Sequence, residues 1–311
     1  MRISEDTKFF SGLDPETILR AIERLGFVCT GRVLALNSME NRVYEIEIEV
    51  PDESQVKSKY DRFKVAKFYR PGRWSKEQIL EEHQFLFEAQ GQYLTVIAPE
   101  RFLGESLFLL KELGIYYSVF PKVGGRNLDE LEDARLLQIG RLLGRLHALG
   151  AAAKLKFRPA LPDVKKSLAF LVENKFIPAD YVLHFENIVA AISTQYAQAS
   201  GSVQTQRIHG DVHYGNILWI GEQCHLLDFD DVCSGPCVQD LWMLVPGRGQ
   251  EDQRKLQVLL SGYEQFKPFN RMELGLMELL RKIRIVNFSA WIAKRWEDPA
   301  FKNVPIFEIS E

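Results

Sequence analysis

Apolar residues recur every three or four positions after Asp14-Pro15, at Ile18, Ala21, Ile22 and Leu25, and Gly26 closes the run. That spacing predicts a capped amphipathic helix. The period then shortens to two. In RVLALNSMENRVYEIEIEV, β-branched and aromatic residues alternate with charges on either side of Asn37-Ser38, predicting two strands joined by a turn. PDESQVKSKYD supplies a polar turn, and RFKVAKFY alternates again up to Arg70-Pro71-Gly72, completing three strands in meander order. SKEQILEEHQFLFEAQG predicts a helix opened by Ser75, with Ile79, Glu82 and Leu86 along its buried stripe and Glu81 turned outward. ESLFLLKELG and IYYSVF predict two further strands before Pro121 and Gly124-Gly125.

From there the helical period dominates. LEDARLLQIGRLLGRLHALGAAA has leucines at helical spacing, and nothing acidic or sulfur-bearing matches the position of His147, so a core or capping histidine is expected. Residues 163 to 199 read as helix broken at Pro178. RIHG, ILWI and CHLLDF read as short strands, and Trp242 to Trp296 as mainly helix. The predicted fold class is α+β and bilobal: an N-terminal lobe of antiparallel sheet plus helix over 1–121, a hinge near Pro121, and a larger, mainly helical C-terminal lobe over 122–311.

Composition adds exclusions. The 311 residues carry 46% hydrophobic and 26% charged side chains with a net charge of −3, an ordinary globular balance that gives no reason to expect nucleic acid or an anionic membrane as partner. The start lacks an apolar signal core, and no run nears the roughly 18 apolar residues of a spanning helix, so a cytoplasmic monomer is expected. Of four cysteines, Cys29 is alone while Cys224, Cys233 and Cys237 cluster. They lack the paired CxxC of zinc ribbons, and buried thiols in a reducing compartment are the expectation.

The chemistry concentrates in RIHGDVHYGNILWIGEQCHLLDFDD, Arg207 to Asp231. Three readings compete. His209, Asp211 and His213 would share one face of a strand and could hold a metal, but such sites call for a further carboxylate and histidine that the remaining histidines do not provide. A serine triad lacks its GxSxG elbow. Phosphoryl transfer fits the spacing: Asp211 is followed five residues later by Asn216, and a hairpin later by Asp228-Phe229, as in the kinase loop and its DFG. A carboxylate such as Asp211 can orient and deprotonate an attacking hydroxyl, and Asn216 with Asp228 offers the hard oxygens that magnesium prefers. FKVAKFY places Lys67 where the VAIK strand carries its lysine, and Glu82 on the following helix is its expected partner.

The match to protein kinases is partial. GxGxxG is absent and LNSMENRVY stands in its place, so phosphate cover falls to Ser38 and the backbone amides up to Asn41. HRD has become HGD, DFG has become DFD, APE is missing, and the twelve residues from Asp228 to Asp240 are too few for a phosphorylated activation loop. These departures resemble the aminoglycoside phosphotransferase and choline kinase superfamily, and more narrowly the bacterial stress response kinase A family of serine/threonine kinases. The resemblance rests on LNSMENRVYE, VAKFYRPGRWSKEQILEEHQF, VFPKVGGRNL, LGRLHALG, HGDVHYGNILW and GPCVQDLWML. It implies ATP and Mg2+ as cofactors, Asp211 as base, Asn216 and Asp228 as metal ligands, Ser38 in the nucleotide loop, and His209 and Asp240 as supports of the catalytic loop. Adenine is expected against backbone near Phe120 and Lys122. Asp230 is either a second metal ligand or a turn carboxylate. The chain also stops at Glu311, short of the length the resemblance implies.

The acceptor is read from charge. Lys267 to Lys302 holds eight Lys/Arg against four Asp/Glu, which would repel cationic drugs and favours a serine or threonine hydroxyl of a protein, this chain included. In RKIRIVNFSAWIAKRW, Arg281, Lys282 and Arg284 are expected in solvent, with Ile285, Phe288 and Ile292 packed inside; the same helix could instead line an acceptor groove. A small-alcohol kinase shares every catalytic residue and stands as the alternative. A nucleotide-binding pseudokinase is a further one, although the intact Lys67, Asp211, Asn216 and Asp228 argue against it.

Overall fold

The protein is described by a computed structural model covering residues 10–52, 54, 56–128 and 131–296. Asp14 accepts the Thr17 N–H at 2.8 Å, and Pro15 opens helix α1 (Pro15–Glu23). The capped end and the apolar stripe together fix this helix, because Ile18, Ala21 and Ile22 are fully buried. They cover one face of a five-stranded sheet formed by β1 (Cys29–Leu36), β2 (Arg42–Ile48), β3 (Phe63–Phe68), β4 (Phe108–Leu110) and β5 (Ile115–Pro121). Strand order is β1-β2-β3-β5-β4, and every pairing is antiparallel. Ile46, Ala66, Phe68, Ile115 and Val119 line the covered face, and the Tyr117 hydroxyl donates to the Ala21 carbonyl at 2.8 Å. Lys67 falls between Ala66 and Phe68 and therefore projects from the opposite face. It pairs in register with Val43 on one side and Ser118 on the other.

The remaining elements are α2 (Lys76–Gly91), α3 (Asp133–Ala151), α4 (Val164–Glu173), α5 (Ala179–Ser200), β6 (Gln206–Ile208), β7 (Ile217–Ile220), β8 (Gln223–Leu226), β9 (Cys233–Gly235), α6 (Gln239–Trp242), α7 (Gln250–Tyr263) and α8 (Met277–Arg295). Among the described residues, two compact units emerge. One holds 10–76, 99–123 and 291–296; the other holds Glu77–Ala98 and Gly124–Ala290. They interleave in sequence where the chain pattern suggested one boundary at 121. The reason lies in packing: Phe85, Leu86 and Ala89 of α2 join the same apolar cluster as Leu136, Ile139 and Leu143 of α3.

Within the second unit, α3 and α7 approach backbone to backbone. A Cβ on Gly140 or Gly144 would collide with the carbonyls of Leu259 and Tyr263, and one on Gly262 with that of Leu137. β7 and β8 form an antiparallel hairpin, and β6 pairs with β9 through Ile208 and Cys233. Cys224, Cys233 and Cys237 are buried free thiols, while Cys29 is half-buried. No helix among the described residues is long and apolar enough to cross a membrane.

Two expectations about helix faces need correction. Glu81 does not face solvent: its carboxylate accepts the backbone N–H groups of Lys156, Phe157 and Arg158 at 2.5, 2.9 and 2.6 Å. Three amides on one carboxylate hold the 156–158 segment against α2, which a view of α2 alone could not reveal. On α8, Ile285 and Phe288 lie outside, 61% and 38% exposed, while Ile283 and Ala290 are buried. Lys282 is exposed as expected, but two basic side chains turn partly inward: Arg281 lies over the Trp242 ring at 5.2 Å, and Arg284 reaches a carboxylate described below.

Candidate active site

β6 ends at Ile208, and Gly210 then takes φ +89°, so residues 209–213 form a loop and not a strand. The common face on which His209, Asp211 and His213 might have gathered a metal does not form. Gly210 is required sterically as well as conformationally, because a Cβ there would meet the Asp231 carbonyl.

Asp240, fully buried in α6, shapes this loop. Its two oxygens accept the backbone N–H of His209 and of Gly210, each at 2.8 Å, and Oδ2 also meets His147 Nε2 at 2.9 Å. His147 Nδ1 lies 3.0 Å from the Tyr263 hydroxyl. Burial disfavours a charged ring, yet Cys237 and the Asp240 carboxylate outweigh it and raise His147 to about 10. The helical histidine is thus a core residue with a further task, that of holding the carboxylate that holds the loop. Its partner stands 93 positions away, so helical spacing gave no sign of it.

His209 Nε2 donates to the Leu227 carbonyl at 2.8 Å, and Nδ1 accepts the Asp211 N–H at 3.3 Å, a pairing that fixes the tautomer. Its ring lies 4.4 Å from that of Phe229. Further on, Asn216 Nδ2 donates to the Asp211 carbonyl at 2.9 Å, and the Leu227 N–H donates to the Asn216 carbonyl at 2.9 Å. Asp211, Asn216 and the residue before Asp228 are thereby laced together across the β7–β8 hairpin. Asp228 itself is exposed, with φ +54°, a left-handed conformation that aspartate tolerates better than most residues. Asn127, which sequence reasoning passed over inside GGRNL, donates Nδ2 to the carbonyls of Gly215 and Ile217 at 3.0 and 2.9 Å and braces the turn before the hairpin.

The Asp211 carboxylate has a guanidinium and an imidazole beside it. Arg284 Nη1 lies 2.7 Å from Oδ1, and His213 Nε2 lies 3.5 Å from Oδ2. Burial would raise this carboxyl, but His213 and Arg284 outweigh burial and hold it well below the usual carboxylate range. Arg284 was expected in solvent; its pairing with Asp211, 73 residues away, turns it inward. Glu82 is buried and receives Arg158 Nη2 at 2.6 Å, while Arg158 also donates to the carbonyls of Gln78 and Asp230. The Asp230 side chain is buried and follows Phe229 in a short 3-10 turn.

The first unit holds the other expected residues. Lys67 is 7% exposed, Ser38 is half-buried after β1, and Phe120 pairs in register with Val65 on β3. Lys122 Nζ meets Glu45 at 2.6 Å. In the LNSMEN loop sequence reasoning missed Glu40, whose carboxylate binds Arg70 at 3.0 Å, Arg73 at 3.2 Å, the Trp291 indole at 2.6 Å and Arg295 at 2.6 Å.

A carboxylate held ionised, an amide hydrogen-bonded to its backbone and a second carboxylate thus flank one hairpin. Residues 35–274 match the profile of the Phosphotransferase enzyme family, APH, and the chain belongs to that family. It is 37% identical over 305 residues to Stress response kinase A of Escherichia coli (strain K12), covering 95% of this chain and 88% of that protein. It is 38% identical over 309 residues to the serine/threonine protein kinase RdoA of Salmonella typhimurium, again covering 95% and 88%. Among solved structures, the amicoumacin kinase hAmiN, in complex with AMP-PNP, Ca2+ and Ami, superposes with TM-score 0.73 at 17% identity, covering 94% of this chain and 89% of that one. The choline kinase LicA from Streptococcus pneumoniae gives 0.61 at 16% identity, covering 94% and 93%. The fold is that of these kinases.

Proposed function

We propose that this chain transfers the γ-phosphate of ATP, with magnesium, to a serine or threonine hydroxyl of a protein, itself among the acceptors. The observation that carries the reading is the lacing of Asp211, Asn216 and Leu227-Asp228 into one hairpin beside an ionised carboxylate. Asp211 would orient the acceptor hydroxyl and take its proton as the bond to phosphorus forms. A carboxylate held so low is a weak base, which suits a proton that leaves late.

Because Asn216 commits Nδ2 to the Asp211 carbonyl, its amide oxygen remains as a ligand atom, and Asp228 supplies a carboxylate; this donor set fits magnesium. When bound, the ion would neutralise charge on the β- and γ-phosphates. Lys67 would contact the phosphates, Ser38 and the neighbouring amides would cover them, and the backbone at Phe120 and Lys122 would meet the adenine. Asp240, through His209 and Gly210, keeps Asp211 in position. We read the enzyme as a cytoplasmic monomer.

The name borne by the Salmonella relative supports a protein acceptor, and the basic character of α8 agrees with it. Glu297, Asp298 and Lys302, which enter that charge balance, lie outside the described residues. A small-alcohol acceptor is the second reading, favoured by the likeness to amicoumacin and choline kinases. Incubation with labelled ATP separates the two: label on protein supports the first, and turnover only with an added metabolite supports the second. Asp211→Asn should abolish transfer while ATP binding survives, because the carboxylate acts on the acceptor; normal turnover in that variant would remove Asp211 from the role.

A further inference from the structure

Arg284 presents five N–H donors, and among the described residues one of them, on Nη1, is engaged, by Asp211 Oδ1. Its side chain is 37% exposed, so part of it is within reach of a ligand that approaches Asp211. The open edge of a guanidinium matches a carboxylate or phosphate in geometry as well as charge. Beside it on α8, Ile285 and Phe288 are exposed, one and four positions on, and Lys282 is exposed as well. A cationic acceptor would be repelled by Arg284 and Lys282, whereas an anionic segment with an apolar flank would be complementary in charge and in surface.

Resting on the protein-kinase reading above, we propose that Arg284 is the specificity-determining residue for the acceptor, selecting serine or threonine hydroxyls that lie next to an acidic side chain. As the acceptor docks, its carboxylate takes the open edge of Arg284 while the hydroxyl approaches Asp211, and Ile285 and Phe288 receive an apolar neighbour in the peptide. Arg284 thus couples recognition to the position of the base. No bond is made or broken by Arg284 itself.

The test uses the full chain with ATP, magnesium and a set of serine peptides that differ only in flanking Glu, Gln or Lys. The parent should show the lowest KM for the Glu peptide. Arg284→Ala should raise that KM by about ten- to a hundredfold and leave the KM of the Gln peptide far less changed. Arg284→Lys should recover part of the preference, since it restores charge without the fork, and Arg284→Glu should invert it toward the Lys peptide. An unchanged Glu-to-Gln ratio in Arg284→Ala overturns the proposal. So does a uniform rise in kcat on all peptides, which would mark Arg284 as a brake on Asp211 and nothing more. If the parent phosphorylates none of the peptides but turns over ATP with a small alcohol, the protein-kinase reading falls, and the peptide specificity with it.

Discussion

Asp240→Asn keeps the shape of the residue that holds the 209–213 loop and removes its charge. In the parent, two buried backbone amides at 2.8 Å and a buried imidazole at 2.9 Å converge on one carboxylate. An amide has one oxygen, so at least one of the two N–H groups would face an NH2 and go unsatisfied, costing about 1–3 kcal/mol. The imidazolium would lose its counter-charge, and removing one partner of a buried pair costs about 3–5 kcal/mol. The two figures describe the same three bonds and overlap, so we expect a total loss of about 3–5 kcal/mol, a large share of the roughly 5–15 kcal/mol that holds a native protein. Urea unfolding followed by circular dichroism at neutral pH measures it. The sign with pH is also fixed: the unfolded ring titrates near its usual 6.5 and the folded ring at about 10. This stabilisation is therefore complete below 6.5 and is lost as pH rises through 10, at up to about 1.4 kcal/mol per pH unit. In Asp240→Asn that slope should flatten. A loss under about 1 kcal/mol, or a slope identical to the parent's, would refute the coupling of His147, Asp240 and the loop.

Arg158→Met should cost about 3–5 kcal/mol in the same assay, because it strips a guanidinium from the buried Glu82 carboxylate and from two carbonyls; pairing it with Glu82→Met should restore part of the loss. Gly140→Ala should cost about 1–3 kcal/mol by forcing α3 away from the Leu259 carbonyl, whereas Gly91→Ala, with open space around it, should stay within about 0.5 kcal/mol of the parent. Equal midpoints for the two glycine variants would contradict the close approach of α3 and α7.

Local signals in the chain carried much of this structure. The two-residue alternation of RFKVAKFY became β3, and the five-residue step from Asp211 to Asn216 became a hydrogen bond between them, because both depend on neighbours in sequence. Asp240 was legible as a loop support since a carboxylate amid apolar residues must find donors. Side-chain partners from distant elements were not legible. Arg284 looked like a solvated helical cation because periodicity ranks residues by apolarity, yet the strongest pull on that face came from a carboxylate and an indole ring in other elements. Glu81 failed for the same reason, its three amide donors lying 75 to 77 positions away. Glu40 and Asn127 are polar residues in turns, where sequence offers no period to read.

Gly210 has a consequence for control. A protein kinase loop reading HRD carries an arginine at this position, whereas here the Asp231 carbonyl fills the space where any side chain would begin. The short stretch after Asp228 is stitched to its surroundings by β9, whose Ser234 exchanges backbone bonds with Pro159 and Leu161. With no cation at that position, the pairing by which a phosphorylated loop engages an HRD arginine has no counterpart at Gly210.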